Sequence, residues 1–323
     1  MSIKVVFGGG SISSMGAFNT DESVAEALNV LKASGVLNID TARSYPASEG
    51  NIGRATDRES FTIDTKIIGG WSPGSAKKEA IITDSQNSLE TVKIKQFDIL
   101  YLHSPDVSIP IEETLEGINE AYKKGIFRRF GLSNFSAEQV QEAYDVAKSK
   151  GYVLPSVYQG NYSAIARHAE TLLFPTLRKL GFAFYAYSPL AGGFLTKTIQ
   201  SLDEGVGRFS DDVIGGLYNA LYNKPTLRGE LAEWKDIAEK EGVSKAELAY
   251  RWVGYNSVLK PEFGDGVIFG ASSIKQIEQT AASLKKGPLS EEAVKRIDAI
   301  WRSVEKDAPI DNFITFVKKN SKV

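Results

Sequence analysis

The chain has 323 residues, 42% hydrophobic and 24% charged, with a formal net charge of −2. That is the composition of an ordinary soluble globular protein with material for a sizeable core, and it excludes a disordered chain. The near-neutral balance, without a Lys/Arg-rich run, removes the footprint of a general nucleic-acid binder, and the absence of cysteine excludes disulfides and a thiol nucleophile.

Two histidines, His103 and His168, cannot make the usual His/Cys zinc spacings, so no metal is expected. No apolar run approaches the roughly 18 residues of a membrane span, and the first residues do not read as a secretory signal. A cytoplasmic protein with a small-molecule partner is expected, with no nucleic acid and no membrane.

The first element in chain order is KVVF, which runs into Gly8, Gly9 and Gly10 within VVFGGGSISSMG. An apolar run ending in glycines, with Asp40 closing the next run VLNID, has the outline of a Rossmann dinucleotide motif. The outline fails at Ser13, which stands where the third glycine belongs. A tight strand-to-loop turn is the better reading.

Further short runs rich in β-branched and aromatic residues follow: FTIDTKI, FDILYLH, FRRFGLS, SVYQ, FAFYAYS and GVIFG. With the first two, these make eight strands. Helical patterns lie between them, starting near Asp21, Ser75, Ile111, Ser136 and Ser290; Ser136 with Gln139 forms a capping box, and Gly151 stops that helix. No linker or low-complexity segment divides the chain. Eight strands each followed by a helix is the count of a single α/β domain of the (β/α)₈ TIM-barrel class over residues 1–323. A long loop over about 195–228 and a C-terminal tail over about 307–323 are expected near its active rim.

In a barrel, reactive side chains stand at the C-terminal ends of the strands. Asp40 ends the second strand, with Tyr45 shortly after it in IDTARSY; Lys66 ends the third and His103 the fourth. The fifth supplies Ser133 and Asn134, the sixth Gln159, the seventh Tyr187 and Ser188. A lysine in an apolar strand needs a partner, and Asp40 on the neighbouring strand is placed to be one, with Asp64 as a competitor. A structural ion pair would explain those two residues alone. A tyrosine near that ammonium has its phenolate stabilised, which lowers its pKa from about 10 toward the working pH. His103 on the next strand can orient a carbonyl oxygen at the same point. These groups form a proton donor for an oxygen becoming an alkoxide. His168, in ARHAET, reads as a surface residue.

The set Asp40, Tyr45, Lys66 and His103 in IDTARSY, DTK and LYLHSPD resembles the aldo-keto reductase superfamily, and the resemblance covers almost the whole chain. GLSNFS, VYQGNYS and FYAYSPLAGGFLT also match, and the stretch from Asn161 to Lys197 is most similar to the aflatoxin-aldehyde reductase branch. The resemblance implies an NADPH-dependent reductase of aldehydes or ketones. Tyr45 would be the general acid, Lys66 its pKa-lowering neighbour, Asp40 the partner of Lys66, and His103 the carbonyl-orienting donor. Ser133, Asn134 and Gln159 would hold the carboxamide of NADPH/NADP+, and Tyr187 would stack on the nicotinamide.

Gly9, Gly10, Asp40 and Ser188 would line the nicotinamide end. Leu190, Gly192, Lys197 and Arg208 would lie along the pyrophosphate, and Gly270, Ser272, Ser273, Gln276 and Gln279 at the adenosine 2′-phosphate. Ser272 or Ser273 also reads as a plain N-cap. Many members carry Arg where Gln276 stands and a Glu-Asn pair where Gln279 and Thr280 stand. APIDNFITF offers no carboxylate-reading Arg, and the loop after Tyr45 is shorter than in relatives. Trp71, Tyr222 and Phe313 would surround the substrate, with Tyr45 and His103 at its floor.

Two other functions compete. One is an NADPH-binding regulatory subunit of the same fold, of the potassium-channel β-subunit type; the complete set of four residues argues against it. The other is a barrel hydrolase with Asp40 facing Asp64 or Glu49, which would have no use for Lys66 beside Tyr45. A monomer or homodimer is expected.

Overall fold

The computed structural model describes residues 3–320, with side chains through 317. All eight expected strands form: β1 (Lys4–Gly8), β2 (Asn38–Asp40), β3 (Thr62–Ile67), β4 (Phe97–Leu102), β5 (Phe127–Ser133), β6 (Pro155–Asn161), β7 (Ala183–Tyr187) and β8 (Gly266–Phe269). Each pairs in parallel with its successor, and β8 pairs with β1, closing a (β/α)₈ barrel. The second strand is shorter than VLNID suggests. Val36 N–H donates to Leu31 O at 2.9 Å, which ties it to the end of the preceding helix rather than to the sheet.

Strand alternation sorts the side chains. Val6, Ile99, Tyr101, Val157, Ala183, Tyr185 and Ile268 fill the barrel interior. A larger apolar layer, including Phe7, Ile39, Ile67, Leu100, Phe130 and Phe184, lies between strands and helices. Register sets Lys66 against Tyr101, Ser133 against Gln159 and Asn161 against Tyr187, so the functional residues rise to one rim in step.

The helices start and stop where their caps direct. Thr20 caps Asp21–Ala33, and Ser136 caps Ala137–Lys150 through its capping box. Gly151, at φ 65°, ends the latter in the left-handed region that glycine adopts without strain. The helix expected near Ser75 begins at Lys78. Ser75 Oγ donates to Gly69 O, and the N–H groups of Gly74 and Ala76 both donate to Asp106 Oδ2, so these residues form a turn first.

The long loop is less irregular than expected, because it carries the short helices Ile199–Asp203, Leu217–Tyr222 and Pro225–Gly229. Gly192, at φ 68°, lies so close beneath the Tyr218 ring that a Cβ there would collide with it. The expected tail forms the helix Asn312–Asn320, and the three residues after it lie outside the described residues. Lys224 Nζ donates to Asp307 O at 2.6 Å and Thr226 Oγ1 to Asp307 Oδ2 at 2.7 Å, binding the approach to this helix to the β7 loop.

Candidate active site

Lys66 is fully buried at the end of β3, and its Nζ donates to Asp40 Oδ2 at 2.6 Å and to Thr41 O at 2.8 Å. The other oxygen of Asp40 accepts from Gln159 Nε2 at 2.8 Å. Asp40 is therefore held from both sides. The same Nζ lies 5.0 Å from the centre of the Tyr45 ring.

His103 closes the group from β4. Its ring meets Tyr45 edge-on with centroids 5.9 Å apart, and its Nδ1 lies 3.2 Å from Ser44 Oγ. Asn134 Nδ2 donates to His103 O at 2.8 Å. Beyond the imidazole stands an aromatic wall: Trp71 is 5.9 Å from His103, 5.1 Å from Phe313 and 5.0 Å from Phe316, centroid to centroid.

The electrostatics follow from burial acting against a single fixed cation. Burial disfavours charge on Lys66, but Asp40 and then Tyr45 outweigh it, and the ammonium stays protonated with a raised pKa. Burial, with Lys66 second, pushes His103 well below the usual imidazole range, so its ring is neutral. For Tyr45 the sequence expectation of a lowered pKa is corrected. Burial raises the phenol, Lys66 pulls it down by less, and Asp40 adds to the rise. Without another positive group beside it, the phenol keeps its proton.

A fully buried Lys–Asp pair beside a tyrosine and a neutral histidine, all at the C-terminal rim of a barrel, is an arrangement chemically able to donate a proton. The model of the Aldo/keto reductase family matches residues 4–302. The chain belongs to the aldo/keto reductase family. That membership makes it an oxidoreductase of carbonyl compounds. It is 40% identical to an oxidoreductase, sirO, of Leptosphaeria maculans, over 90% of this chain and 89% of that protein. It is 37% identical to the human aflatoxin B1 aldehyde reductase member 4, over 74% and 75% of the two chains, and 36% identical to human member 2, over 74% and 69%.

In this aldo/keto reductase the remaining sequence-derived residues fall at several places. Ser133 and Asn134 are buried; Asn134 adopts φ 61°, and its Nδ2 also donates to Ser133 Oγ at 3.2 Å. Tyr187 Oη donates to Asn134 Oδ1 at 2.7 Å and accepts from Asn312 N–H at 3.3 Å. Ser188 is left-handed at φ 57°, and Leu190 N-caps the turn Ala191–Thr196 that contains Gly192. Gly9 packs against the end of β2, where a Cβ would lie 2.9 Å from Asp40 O, while Gly10 has nothing within 4 Å of that position.

After β7, Lys197 Nζ donates to Val206 O at 2.9 Å, within its own loop. Exposed Arg208 donates to Tyr218 Oη at 3.2 Å and reaches to 3.8 Å from where a Gly270 Cβ would be, carrying the β7 loop over the end of β8. Ser273 caps the helix Ile274–Ser283, and Ser272 donates through both its N–H, at 2.8 Å, and its Oγ, at 3.1 Å, to Gln276 Oε1. Gln279 is exposed, and its O accepts from Ser283 Oγ.

Several expectations change. Tyr222, expected on a loop around the substrate, is instead fully buried in the helix Leu217–Tyr222 and donates to Asn161 Oδ1 at 3.0 Å. Glu49 faces away from Asp40, its carboxylate accepting from Thr65 Oγ1 at 2.6 Å and Ser88 Oγ at 3.1 Å on the helix side of β3. Glu49 is therefore not placed to face Asp40 as a second carboxylate. Burial, then Asp40, push the Asp64 carboxyl well above the usual range, and its Oδ1 accepts from Ile99 N–H at 3.1 Å. His168 is half-buried against Trp301, centroids 5.3 Å apart, rather than on the surface. Sequence reasoning missed Phe316 and Ser44. The first sits three residues after Phe313, a helical spacing that carried its own signal. Among the described residues no cluster of three or more metal-ligating side chains occurs, and no helix is long and apolar enough to cross a membrane.

Proposed function

We propose that this chain reduces aldehydes or ketones to alcohols with NADPH, Tyr45 acting as general acid. The observation that carries the reading is the buried Lys66, salt-bridged to Asp40 at 2.6 Å and 5.0 Å from the Tyr45 ring. When bound, the cofactor supplies a hydride to the carbonyl carbon. The residues present fit such a group: the open flank of Gly10 leaves room at the rim, and Gln159, its amide nitrogen committed to Asp40, keeps its amide oxygen as an acceptor for a carboxamide. Ser133 and Asn134 would hold that carboxamide with it, Tyr187 would stack on the ring, and Lys197, Arg208, Ser272 and Ser273 would meet the phosphates.

The proton chemistry belongs to the chain. As negative charge grows on the carbonyl oxygen, Tyr45 gives up its phenolic proton, and Lys66 stabilises the phenolate left behind. A phenol whose pKa is raised stays protonated at neutral pH, as an acid must. Asp40 and Thr41 O keep the ammonium in place. Neutral His103 donates a hydrogen bond to the same oxygen. Trp71, Phe313 and Phe316 present an apolar face to the body of the substrate, which favours a carbonyl compound with a hydrophobic or aromatic body over an acidic one.

Purified protein assayed with a panel of aldehydes and ketones, with NADPH and then NADH, tests reaction and cofactor together. Tyr45→Phe is expected to abolish turnover while the quenching of protein fluorescence by NADPH stays at the wild-type Kd. Normal turnover by that variant would overturn the assignment.

A further inference from the structure

Three consecutive residues in the turn after β2 point to three different bodies. Arg43 reaches outward, donating from Nη1 to Asp84 O and Ser88 Oγ at 3.1 Å each and pairing through Nη2 with Asp84 Oδ1 at 3.0 Å. Tyr45 lies beside Lys66. Between them, Ser44 places its Oγ 3.2 Å from Nδ1 of His103. The turn is fixed by backbone bonds from Tyr45 N to Ala42 O at 3.0 Å and from Ser48 N to Tyr45 O at 3.1 Å. The backbone that carries the imidazole is fixed as well: His103 N donates to Ile67 O at 3.0 Å, and its O accepts from Asn134.

A neutral imidazole has one ring proton, and the bond made by one nitrogen decides which of the two carries it. A serine hydroxyl can donate to a bare Nδ1 or accept from a protonated one. Among the described residues, no hydrogen bond engages Nε2. A carbonyl oxygen only accepts, so His103 can assist it only with the proton on Nε2. That in turn requires Ser44 to donate.

We propose that Ser44 is a positioning residue that acts through His103: its hydroxyl donates to Nδ1 and holds the ring as the Nε2–H tautomer that orients a carbonyl substrate. The inference rests on the reductase reading, and it adds a residue outside the four that carry the family resemblance. Ser44 is exposed, so its side chain can be exchanged without opening a cavity in the core. The same turn that presents the acid Tyr45 thereby also sets the proton of its neighbour.

The chain has only two histidines, which makes the tautomer directly readable. In ¹⁵N-labelled protein, ring spectra of the wild type are expected to show His103 with a bare Nδ1 and a protonated Nε2; a His103→Asn variant assigns the signals. Ser44→Ala is expected to give a mixture of tautomers. Its kcat/KM for an aldehyde should fall about three- to tenfold, the scale of one hydrogen bond, with the NADPH Kd unchanged. Ser44→Thr, which keeps the hydroxyl, should restore both readouts. A wild-type His103 protonated on Nδ1, or a Ser44→Ala ring spectrum identical to wild type, would overturn the proposal. A wild-type chain that reduces no carbonyl would instead sink the reductase reading, while the nitrogen spectrum still decides the role of Ser44.

Discussion

Gln159 donates to Asp40 at 2.8 Å although 119 positions separate them in the chain. The bond spans the barrel from β6 to β2 and satisfies the carboxylate oxygen that Lys66 does not use. Gln159→Leu leaves that buried oxygen without its donor. A hydrogen bond to a charged group contributes about 1.5–3 kcal/mol, so the denaturant midpoint should drop accordingly. An unchanged midpoint would mean that water replaces the amide.

Lys66→Met removes the cation paired with the buried Asp40 carboxylate. Breaking a buried pair from one side costs about 3–5 kcal/mol, because the surviving charge is left uncompensated. Turnover should also fall by at least about a hundredfold, since the phenolate of Tyr45 loses its stabilising neighbour. The double variant with Asp40→Asn should recover part of the stability and none of the activity. Thermal melts beside single-turnover rates separate the two effects.

Asp64 makes the pH dependence of stability testable. Its side chain shares the inner face of β3 with Lys66, its Oδ1 accepts from Ile99 N–H at 3.1 Å, and burial, then Asp40 and Asp98, raise its pKa well above the usual range. The folded chain therefore keeps a proton that the unfolded chain releases above about pH 4. Stability is lost as pH rises from that value toward the folded pKa. Asp64→Asn removes this loss, so its stability advantage over wild type should widen between pH 4 and pH 8 in urea titrations. Parallel curves would show Asp64 ionised in the fold.

The oxygen of Gln276 occupies the N–H of Ser272 at the head of its helix. An arginine there would vacate that N–H and bring a planar cation to the same point. Gln276→Arg is expected to tighten NADPH binding by about tenfold and to leave NADH unchanged. Fluorescence titrations with both nucleotides check it. An equal gain for the two would place the 2′-phosphate elsewhere.

The barrel was legible because each strand announces itself locally, through a short β-branched or aromatic run bounded by a cap or a glycine. Asp40, Lys66 and His103 were legible for a related reason: they end such runs, and a buried lysine demands a partner. Contacts made by folding were not legible. Nothing near Tyr222 signals that it sits buried and bonded to Asn161, because its cover comes from Phe194 and the C-terminal helix, which are distant in sequence. Glu49 and Asp64 looked equivalent as acids. Only the pleat of β3, with Thr65 facing the helices and Asp64 facing the interior, gives them different surroundings. The rise in the Tyr45 pKa was hidden too, since it depends on how completely the rim covers the phenol.

Asp40, Tyr45, Lys66 and His103 all come from β2 to β4 and the turns after them. Ser133, Asn134, Gln159 and Tyr187, which brace that group and flank it, come from β5 to β7. A chimaera joined between Lys123 and Phe127 would take Asp40, Tyr45, Lys66, His103 and Trp71 from one parent and Asn134, Gln159, Phe313 and Phe316 from the other. The two halves must therefore match across the bonds from Gln159 to Asp40 and from Asn134 to His103.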